Sequence, residues 1–265
     1  KFMDRPFDVP LAPGVMTSNL DNLINDPSVE IAIELVGGTT IAKDIVERLL
    51  KAGKHVVTAN KALLAHHGRA LFELARKHSR CIAFEASCAG GIPLIESVRR
   101  GLVANDIKAV YGIVNGTCNY ILTAMSREGK DYATALKEAQ AAGFAEADPT
   151  LDVNGTDTAH KLAIISSLAF AQAIPFEAIR VEGIDTVHIE DIRYGQELGY
   201  VMKLLAIGIK EKDGISVRVH PSFISKEDPM ALVLGPFNAV SVYGNAVGHT
   251  MFYGRGAGKM PTASA

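Results

Sequence analysis

Short apolar runs alternate with segments of helical period over the first third of the chain. IAIELV at 31–36 is apolar at every position except Glu34, and this pattern predicts a strand buried on both faces. The next segment predicts a helix closed by Gly53, because its apolar residues share one face: Ile41, Ile45, Val46, Leu49 and Leu50. A strand at 55–59, a helix at about 62–78, the strand CIAFEAS at 81–87 and a helix starting near Pro93 follow. This order is typical of successive βα units around a parallel sheet.

Each of the three predicted strands ends in a polar or glycine-rich loop. These loops are Gly37–Thr40, Asn60–Lys61 and Glu85–Gly91. In an open parallel sheet, ligands bind beyond the carboxyl ends of the strands. Glycines also serve simply to make tight turns, so one such loop decides little. Three in succession favour a ligand site.

The pattern changes after Asp106, where long strands and consecutive helices replace the βα alternation. IKAVYGIV predicts a strand and Asn115-Gly116 a turn, and helical stretches follow at about 117–127, 131–142 and 156–171. KLLAIGIK and ISVRVHPSFI predict a hairpin across Lys212–Gly214, and FNAVSVYG and HTMFYG predict a second pair of strands. Strands joined by hairpins indicate an antiparallel or mixed sheet, hence an α+β second domain.

Composition and charge indicate which kind of molecule the protein binds and where in the cell it acts. The 27 basic and 29 acidic residues nearly cancel, so we expect a small-molecule substrate rather than nucleic acid or a membrane. Three cysteines are too few for a disulfide framework, which favours the cytoplasm. The apolar run LAIISSLAFA is far shorter than the roughly 20 residues of a membrane span. The chain begins without Met, and Pro261 and Thr262 open a helix at its end, so we expect a fragment of a longer protein.

The densest polar stretch is GFAEADPTLDVNGTDTAHKLAII, at 143–165. Its four acidic residues lie within twelve positions: Glu146, Asp148, Asp152 and Asp157. Asp157 and Lys161 are four apart and share a helical face. They could be a solvated ion pair contributing about 0.3–0.5 kcal/mol, with Thr156 or Asp157 as an N-cap and Asp148-Pro149 as a turn. The apolar run after Lys161 instead indicates a buried helix, in which a lysine paired with a carboxylate can transfer a proton.

Other candidate groups stand alone in the sequence. Lys61 follows a strand end at the start of a helix, where the helix dipole disfavours a cation, so its position indicates a functional role. Gly254–Gly258 resembles a glycine turn that leads into a helix N-terminus, a common contact for anions. Cys88 could be a nucleophile, although no histidine lies near it in sequence. The eight histidines show no metal-binding spacing, so a catalytic transition metal is not expected.

Several motifs together resemble homoserine dehydrogenase. They are VVTANKALLA, FEASCAGGIPLIES, GIVNGTCNYILT, GFAEADPTLDVNGTDTAHKLAI, RVHPSFI and TMFYGRGAGKMPTASA, in this order along nearly the whole chain. The resemblance implies an α/β protein with a partial Rossmann-type parallel-sheet nucleotide domain and an α+β substrate and dimerisation domain. It places the first domain at 1–106, completed by 246–265, and the second at 107–245.

The resemblance also implies the reaction and its residues. Members of the family interconvert L-homoserine and L-aspartate 4-semialdehyde with NAD(P), in threonine, methionine and isoleucine biosynthesis. Lys161 and Lys61 are the implied catalytic residues, and Lys61 also binds the cofactor. The residues implied for the substrate are Glu146, Asp152 and Asp157, and those for the cofactor are Thr39, Lys61 and Gly258. The family also implies a homodimer or a higher homo-oligomer.

A monovalent cation, Na⁺ or K⁺, is the second implied cofactor. The resemblance gives its ligands as Glu85 with the main-chain carbonyls of Cys88, Gly90 and Ile92. A carboxylate with a ring of carbonyls is a hard oxygen set, which suits such a cation.

The chain departs from the family pattern at one important point. Members begin with a strand and a GxGxxG turn for the pyrophosphate, and nothing before Glu30 supplies one. The bare fragment is therefore expected to bind NAD(P) weakly or not at all. Two alternatives stay open: a thiol-dependent semialdehyde dehydrogenase that uses Cys88, and a regulatory module that binds homoserine but no nucleotide.

Overall fold

Three short parallel strands form the sheet of the first of two compact units. The computed structural model describes residues 15–265, and the units divide between Phe84 and Glu85. The described elements of the first unit are α1 (Leu20–Asn25), β1 (Ile31–Glu34), α2 (Ile41–Lys51), β2 (His55–Thr58), α3 (Lys61–Lys77) and β3 (Ile82–Ala83). The strands pair in the order β1-β2-β3, all parallel. The predicted βα units are thereby confirmed.

Two of the predicted strands differ from expectation. IAIELV was predicted to be buried on both faces, which is wrong, because Ile31 and Ile33 are 60% and 68% exposed while Ala32 and Glu34 are buried. Only one face of β1 is packed against other described residues. CIAFEAS was predicted as a strand of seven residues, but β3 has two, and the chain turns into a 3₁₀ turn at Glu85–Ser87.

The second unit contains a six-stranded mixed sheet. Its helices are α4 (Leu94–Glu96), α5 (Gly116–Glu128), α6 (Tyr132–Ala141), α7 (Thr150–Val153), α8 (Thr156–Ala169), α9 (Ile189–Glu197) and α10 (Lys259–Ser264). Its strands are β4 (Ile107–Ile113), β5 (Arg180–Val181), β6 (Tyr200–Lys210), β7 (Ile215–Ser225), β8 (Phe237–Gly244) and β9 (Gly248–Arg255). The strand order is β5-β7-β6-β4-β8-β9, and every pair is antiparallel except β5 with β7. Both predicted hairpins are confirmed.

The short helices α1, α7 and α9 were not predicted from the sequence. Helix α9 buries only Ile192 and Gly195, which is too few apolar positions for a clear helical period. A β-carbon at Gly195 would lie 2.2 Å from the ring of Phe223, so the glycine allows the helix to approach β7 closely. Tertiary packing rather than local pattern therefore places this helix.

Helix α8 packs on strands β4, β6 and β7 and forms much of the core of the second unit. Its apolar residues Leu162, Ile164 and Ile165 are buried, and Ser166 lies against Gly208 of β6. Since the helix is held along most of its length, its first turn has a fixed position beside the end of β4. No helix in the described range 15–265 is long and apolar enough to cross a membrane.

Lys203 of β6 is buried without a carboxylate partner among the described residues. Its side chain is 1% exposed, and its Nζ donates to Asn119 Oδ1 at 3.0 Å and to the carbonyl of Val233. Burial and, to a smaller extent, the nearby positive charge of Arg127 together lower the pKa of Lys203 to about 8. The amide of Asn119 also donates to the carbonyl of Gly235, so this cluster holds the segment before β8.

The division between the units differs from the predicted domain boundary at 106/107. Strand β9 and helix α10 lie in the second unit, where β9 pairs with β8 along its whole length. The predicted nucleotide domain, 1–106 with 246–265, was defined by which residues bind the nucleotide, whereas the two units are defined by how compactly the chain packs. The domain assignment therefore stays a prediction.

Candidate active site

The amide of Asn115 joins two carboxylates beyond the end of β4. Its Nδ2 donates to Asp152 Oδ1 at 2.7 Å and to Asp157 Oδ2 at 2.9 Å. Its Oδ1 accepts the main-chain N–H of Cys118 at 2.8 Å, which makes Asn115 the N-cap of α5. Because the side chain is fixed at both ends, it determines the spacing of the two carboxylates.

Lys161 completes this polar cluster. Its Nζ lies 2.7 Å from Asp157 Oδ2 and donates to the carbonyl of Val114, also at 2.7 Å. The side chains of Lys161 and Asp157 are 12% and 9% exposed, so the interpretation of a solvated ion pair is wrong. An ammonium has three hydrogens, and among the described residues only two find acceptors. The third is available to a bound molecule.

The turn between α7 and α8 brings the two carboxylates together. Gly155 has φ +85°, a conformation that residues with a β-carbon rarely adopt, and it is the N-cap of α8. The alternative of Thr156 or Asp157 as N-cap is therefore wrong. Asp152 points from α7 and Asp157 from the first turn of α8, and both reach Asn115 because the chain reverses so tightly between them.

Asp152 forms no hydrogen bond or ion pair with a cation among the described residues, although the positive charge of Lys161 acts on it from nearby. Its partners are neutral, namely the Asn115 amide and the Thr117 hydroxyl at 3.3 Å. Burial raises the pKa of Asp152, and the negative charge of Asp157 adds to this rise. The hydrogen bonds from Asn115 and Thr117 and the positive charge of Lys161 oppose it, and the pKa stays above its usual value. A positively charged ligand would offset this cost of burial.

The structure does not bring the other acidic residues of the motif into the cluster. Glu146 is exposed, and its main-chain carbonyl accepts from Gln140 at 3.1 Å. Asp148 accepts from the N–H of Thr150 at 3.1 Å and from its hydroxyl at 2.6 Å, so it forms the predicted turn at the start of α7. Among residues 15–265, no hydrogen bond links the Glu146 carboxylate to Asn115, Asp152 or Lys161.

In the first unit, the predicted cofactor residues lie at the carboxyl ends of β1 and β2. Thr39 is half-buried in the loop after β1, and Lys61 is the first residue of α3, behind the N-cap Asn60. Gly37 and Gly38 both have positive φ, and a β-carbon at either would meet no atom of residues 15–265 within 4 Å. This open main chain fits close approach by a nucleotide.

The carboxylate of Glu85 caps α4. Its Oε1 accepts the N–H of Ile95 at 2.8 Å and its Oε2 that of Glu96 at 2.9 Å. Each oxygen accepts one N–H here and keeps lone pairs for a cation. The main chain turns through left-handed conformations at Ala89 and Gly90, and the carbonyl of Ile92 accepts from Leu94 at 2.7 Å. The all-oxygen donor set fits a hard monovalent cation chemically.

The thiol of Cys88 is buried. Its exposed fraction is 0%, with Ser87 Oγ at 3.7 Å and the carbonyl of Lys161 at 3.9 Å from Sγ. A nucleophile has to be reached by its substrate, so this burial disfavours the thiol-dependent alternative. The loop that contains Cys88 lies close to the end of β9, because the N–H of Gly91 donates to the main-chain carbonyl of Arg255 at 3.0 Å. Gly258 is exposed at the start of α10, with φ +127°.

Asn115, Thr117 and Glu34 are site residues that the sequence did not reveal. Asn115 was predicted to be part of a turn, although an asparagine directly before a helix is an N-cap signal. Thr117 and Glu34 carry no comparable signal, because the contacts of Thr117 with Asp152 and of Glu34 with Thr58 join residues far apart in sequence.

The sequence and fold were compared with known proteins. Residues 4–85 match the family model described as "Homoserine dehydrogenase, NAD binding domain", and residues 93–265 match the one described as "Homoserine dehydrogenase". A curated homoserine dehydrogenase of Neisseria gonorrhoeae is 49% identical over 243 residues, which are 92% of this chain and 56% of the relative. The first curated relatives that match are covered over only 56% to 62% of their own length.

Solved structures give the same family. The crystal structure of a homoserine dehydrogenase from Thiobacillus denitrificans matches with a TM-score of 0.92 at 48% identity, over 94% of this chain and 57% of that one. A hyperthermophilic archaeal homoserine dehydrogenase in complex with NADPH matches with a TM-score of 0.79 at 28% identity, over 93% of this chain and 72% of that one.

Proposed function

Because this chain belongs to the homoserine dehydrogenase family, we propose that its protein interconverts L-homoserine and L-aspartate 4-semialdehyde with NAD(P). The reaction would serve threonine, methionine and isoleucine biosynthesis in the cytoplasm. The observation that carries the proposal is the buried cluster of Asn115, Asp152, Asp157 and Lys161. It offers a proton donor and a half-buried carboxylate, Asp152, that has only neutral hydrogen-bond partners among the described residues. These groups suit a substrate with a reacting oxygen and an ammonium group.

Lys161 is the proposed proton donor and acceptor. Its ammonium is held by Asp157 and by the Val114 carbonyl, which leaves one hydrogen to be donated to the aldehyde oxygen as it becomes a hydroxyl. In the oxidation direction the neutral amine removes that proton. When bound, NAD(P) supplies or accepts the hydride.

The carboxylates are proposed to hold the amino-acid end of the substrate. Asp152 has only neutral hydrogen-bond partners among the described residues, so a substrate ammonium would form the direct ion pair that Lys161 does not provide. Asp157 contributes through its bond to Lys161, which sets the position of the proton donor. Glu146, exposed in the loop before α7, is the third proposed contact.

Residues of both units are proposed to bind the cofactors. Thr39 and Lys61 would hold NAD(P) in the first unit, with Lys61 also serving the reacting end of the substrate, and Gly258 would contact the nucleotide in the second. Glu85 with the carbonyls of Cys88, Gly90 and Ile92 would hold Na⁺ or K⁺. The nucleotide domain would comprise 1–106 with 246–265, and the substrate domain 107–245.

A homodimer through the face of the six-stranded sheet that carries Tyr111, Tyr243, Phe237 and Tyr253 is the proposed assembly. Aromatic pairs line this face, with Tyr111 edge-on to Tyr243 at 5.8 Å and Phe237 stacked on Tyr253 at 5.3 Å between ring centroids. Tyr253 is 55% exposed. Aromatic surface of this kind is enriched at protein interfaces.

The proposal is tested with the full-length natural protein. We expect NADPH to be oxidised in the presence of L-aspartate 4-semialdehyde, and Lys161→Ala to remove most of that turnover. A protein that binds homoserine but neither binds NADPH nor turns over would instead be the regulatory module. Turnover that persists unchanged in Lys161→Ala but is lost in Cys88→Ser would establish the thiol mechanism.

A further inference from the structure

The buried carboxylate of Glu34 bonds to the loop that follows its own strand and to the neighbouring strand. The side chain is 3% exposed at the end of β1. Its Oε1 accepts the N–H groups of Val36 at 2.8 Å and Gly37 at 3.1 Å, and its Oε2 accepts the hydroxyl of Thr58 at 2.6 Å. All three described donors are neutral, so the charge is stabilised by hydrogen bonds alone.

These bonds continue into the loop after β2 and return to the first loop. Thr58 Oγ1 accepts the N–H of Asn60 at 3.0 Å, and Asn60 Nδ2 donates to the carbonyl of Gly38 at 2.8 Å. Asn60 Oδ1 also accepts from Leu63 at 3.0 Å, as the N-cap of α3. One closed circuit of hydrogen bonds therefore connects the loops that contain Thr39 and Lys61.

No described residue packs against Gly37 or Gly38 in the first of these loops. Gly37 and Gly38 have φ of +80° and +70°, and a β-carbon at either would meet nothing within 4 Å. Glycine in open space has wide conformational freedom, which has to be restricted before a ligand can meet a defined surface. Glu34 restricts it at Val36 and Gly37, and Asn60 restricts it at Gly38.

We propose that Glu34 is a positioning residue of the cofactor site, which acts through Thr58 and Asn60 to hold Thr39 and Lys61 in the arrangement that binds NAD(P). Glu34 itself does not touch the nucleotide in this scheme. The identity of the ligand rests on the proposed function, whereas the circuit of hydrogen bonds does not.

Variants at Thr58 test the circuit at nearly constant shape. In the full-length natural protein, Thr58→Val removes the hydroxyl that links Glu34 to Asn60, and Thr58→Ser retains it. We expect the Kd for NADPH, measured by fluorescence titration, to rise about tenfold or more in Thr58→Val and to stay within about twofold of wild type in Thr58→Ser. Glu34→Gln should weaken binding similarly, and the double variant no further, because both changes break one circuit.

Glu30→Gln is the matched control, since Glu30 is exposed and lies just before the opposite end of the same strand. It should leave the Kd unchanged. Folded Thr58→Val and Glu34→Gln proteins that bind NADPH like wild type would overturn the proposal. Hydrogen exchange of the unliganded wild type needs no variant: the amides of Val36 and Gly37 should be protected, and exchange at the rate of an open chain would also overturn it.

These readouts separate this inference from the proposed function. If the wild type binds NADPH but does not reduce aspartate semialdehyde, the proposed reaction is wrong and the Kd comparison still decides the role of Glu34. If the wild type binds no NADPH, the proposed function and the positioning role of Glu34 are both wrong about the cofactor. Protection of the Val36 and Gly37 amides would not change that conclusion.

Discussion

Lys161 Nζ lies 2.7 Å from Asp157 Oδ2, one helical turn earlier in α8, and both side chains are almost fully buried. Such a pair contributes little to stability in water but defines the position of an ammonium when it is shielded from solvent. The pair holds the ammonium of the proposed proton donor near the half-buried carboxylate of Asp152.

Replacing Lys161 by alanine should lower kcat by about 10² to 10⁴-fold, because a positioned proton donor is lost. The Kd for NADPH should change little. Steady-state kinetics with aspartate semialdehyde and a titration with NADPH measure the two quantities in the full-length protein. Lys137→Ala, on α6, is a suitable control, and a Lys161→Ala protein with full kcat would contradict the assignment.

Replacing Asn115 by aspartate should keep the helix cap but damage the cluster. The new carboxylate can still accept the N–H of Cys118, but it repels Asp152 and Asp157 where an amide donated to both. The pKa of Asp152, already raised by burial, should rise further, so the acidic limb of kcat/KM should move to higher pH.

The pH profile of kcat/KM, compared with urea unfolding, distinguishes this effect from a loss of fold. Asp131→Asn is the control: it makes the reverse exchange, of a carboxylate for an amide, at the N-cap of α6. There Asp131 accepts the main-chain N–H of Thr134 at 2.8 Å. That control should leave the profile in place. An unchanged acidic limb in Asn115→Asp would show that Asn115 does not set the electrostatics of the carboxylates.

Replacing Glu85 by alanine should have two separable effects. Loss of the hydrogen bonds to Ile95 and Glu96 should lower the free energy of unfolding by about 0.5–2 kcal/mol, the usual cost of a lost helix cap. If Glu85 also binds Na⁺ or K⁺, the activity should lose its dependence on the concentration of that ion.

Urea unfolding and activity against salt concentration measure the two effects. Cys88→Ala is the control, because only the main-chain carbonyl of Cys88 is a proposed ligand, and its cation dependence should match wild type. A folded Glu85→Ala protein with normal cation dependence would leave Glu85 as a helix cap alone.

Lys203 should make the protein more stable as pH rises from 8 towards 10. Its pKa in the folded state is about 8, below the value of 10.5 for an unperturbed lysine. Between these values the unfolded chain binds more protons than the folded one, so the free energy of unfolding increases with pH. The contribution is fully present above the unfolded pKa and is lost as pH falls through 8. It amounts to roughly 3 kcal/mol at most.

Urea unfolding at pH 8 and pH 10 tests this, with Lys203→Met as the variant that cannot titrate. The difference in free energy of unfolding between wild type and Lys203→Met should change with pH. For Lys210→Met, on the exposed end of the same strand, the free energy of unfolding should follow that of wild type at both pH values. Parallel curves for Lys203→Met as well would contradict the assigned shift.

The sequence predicted the parallel βα units, both hairpins and the pair of Asp157 with Lys161, because each depends on local periodicity or spacing. It could not predict that Asn115 joins Asp152 and Asp157. Asn115 is about forty positions from both carboxylates, and the turn at Gly155 is what lets both of them reach it. It also missed Glu34, which looked like one polar residue at the end of an apolar run. Long-range contacts of single polar side chains leave no period in a sequence.

The bond from Lys161 to the Val114 carbonyl has a consequence for how substrate choice can change. The proton donor is attached to the end of a central strand and to a buried helix, whereas Glu146 lies on an exposed loop that precedes α7. With the roles proposed for Glu146 and Lys161, mutations in that loop would alter which amino-acid aldehyde is accepted and leave the proton-transfer geometry intact. The fold thereby separates the exposed loop of Glu146, whose sequence can vary, from the buried position of Lys161, whose geometry has to be kept.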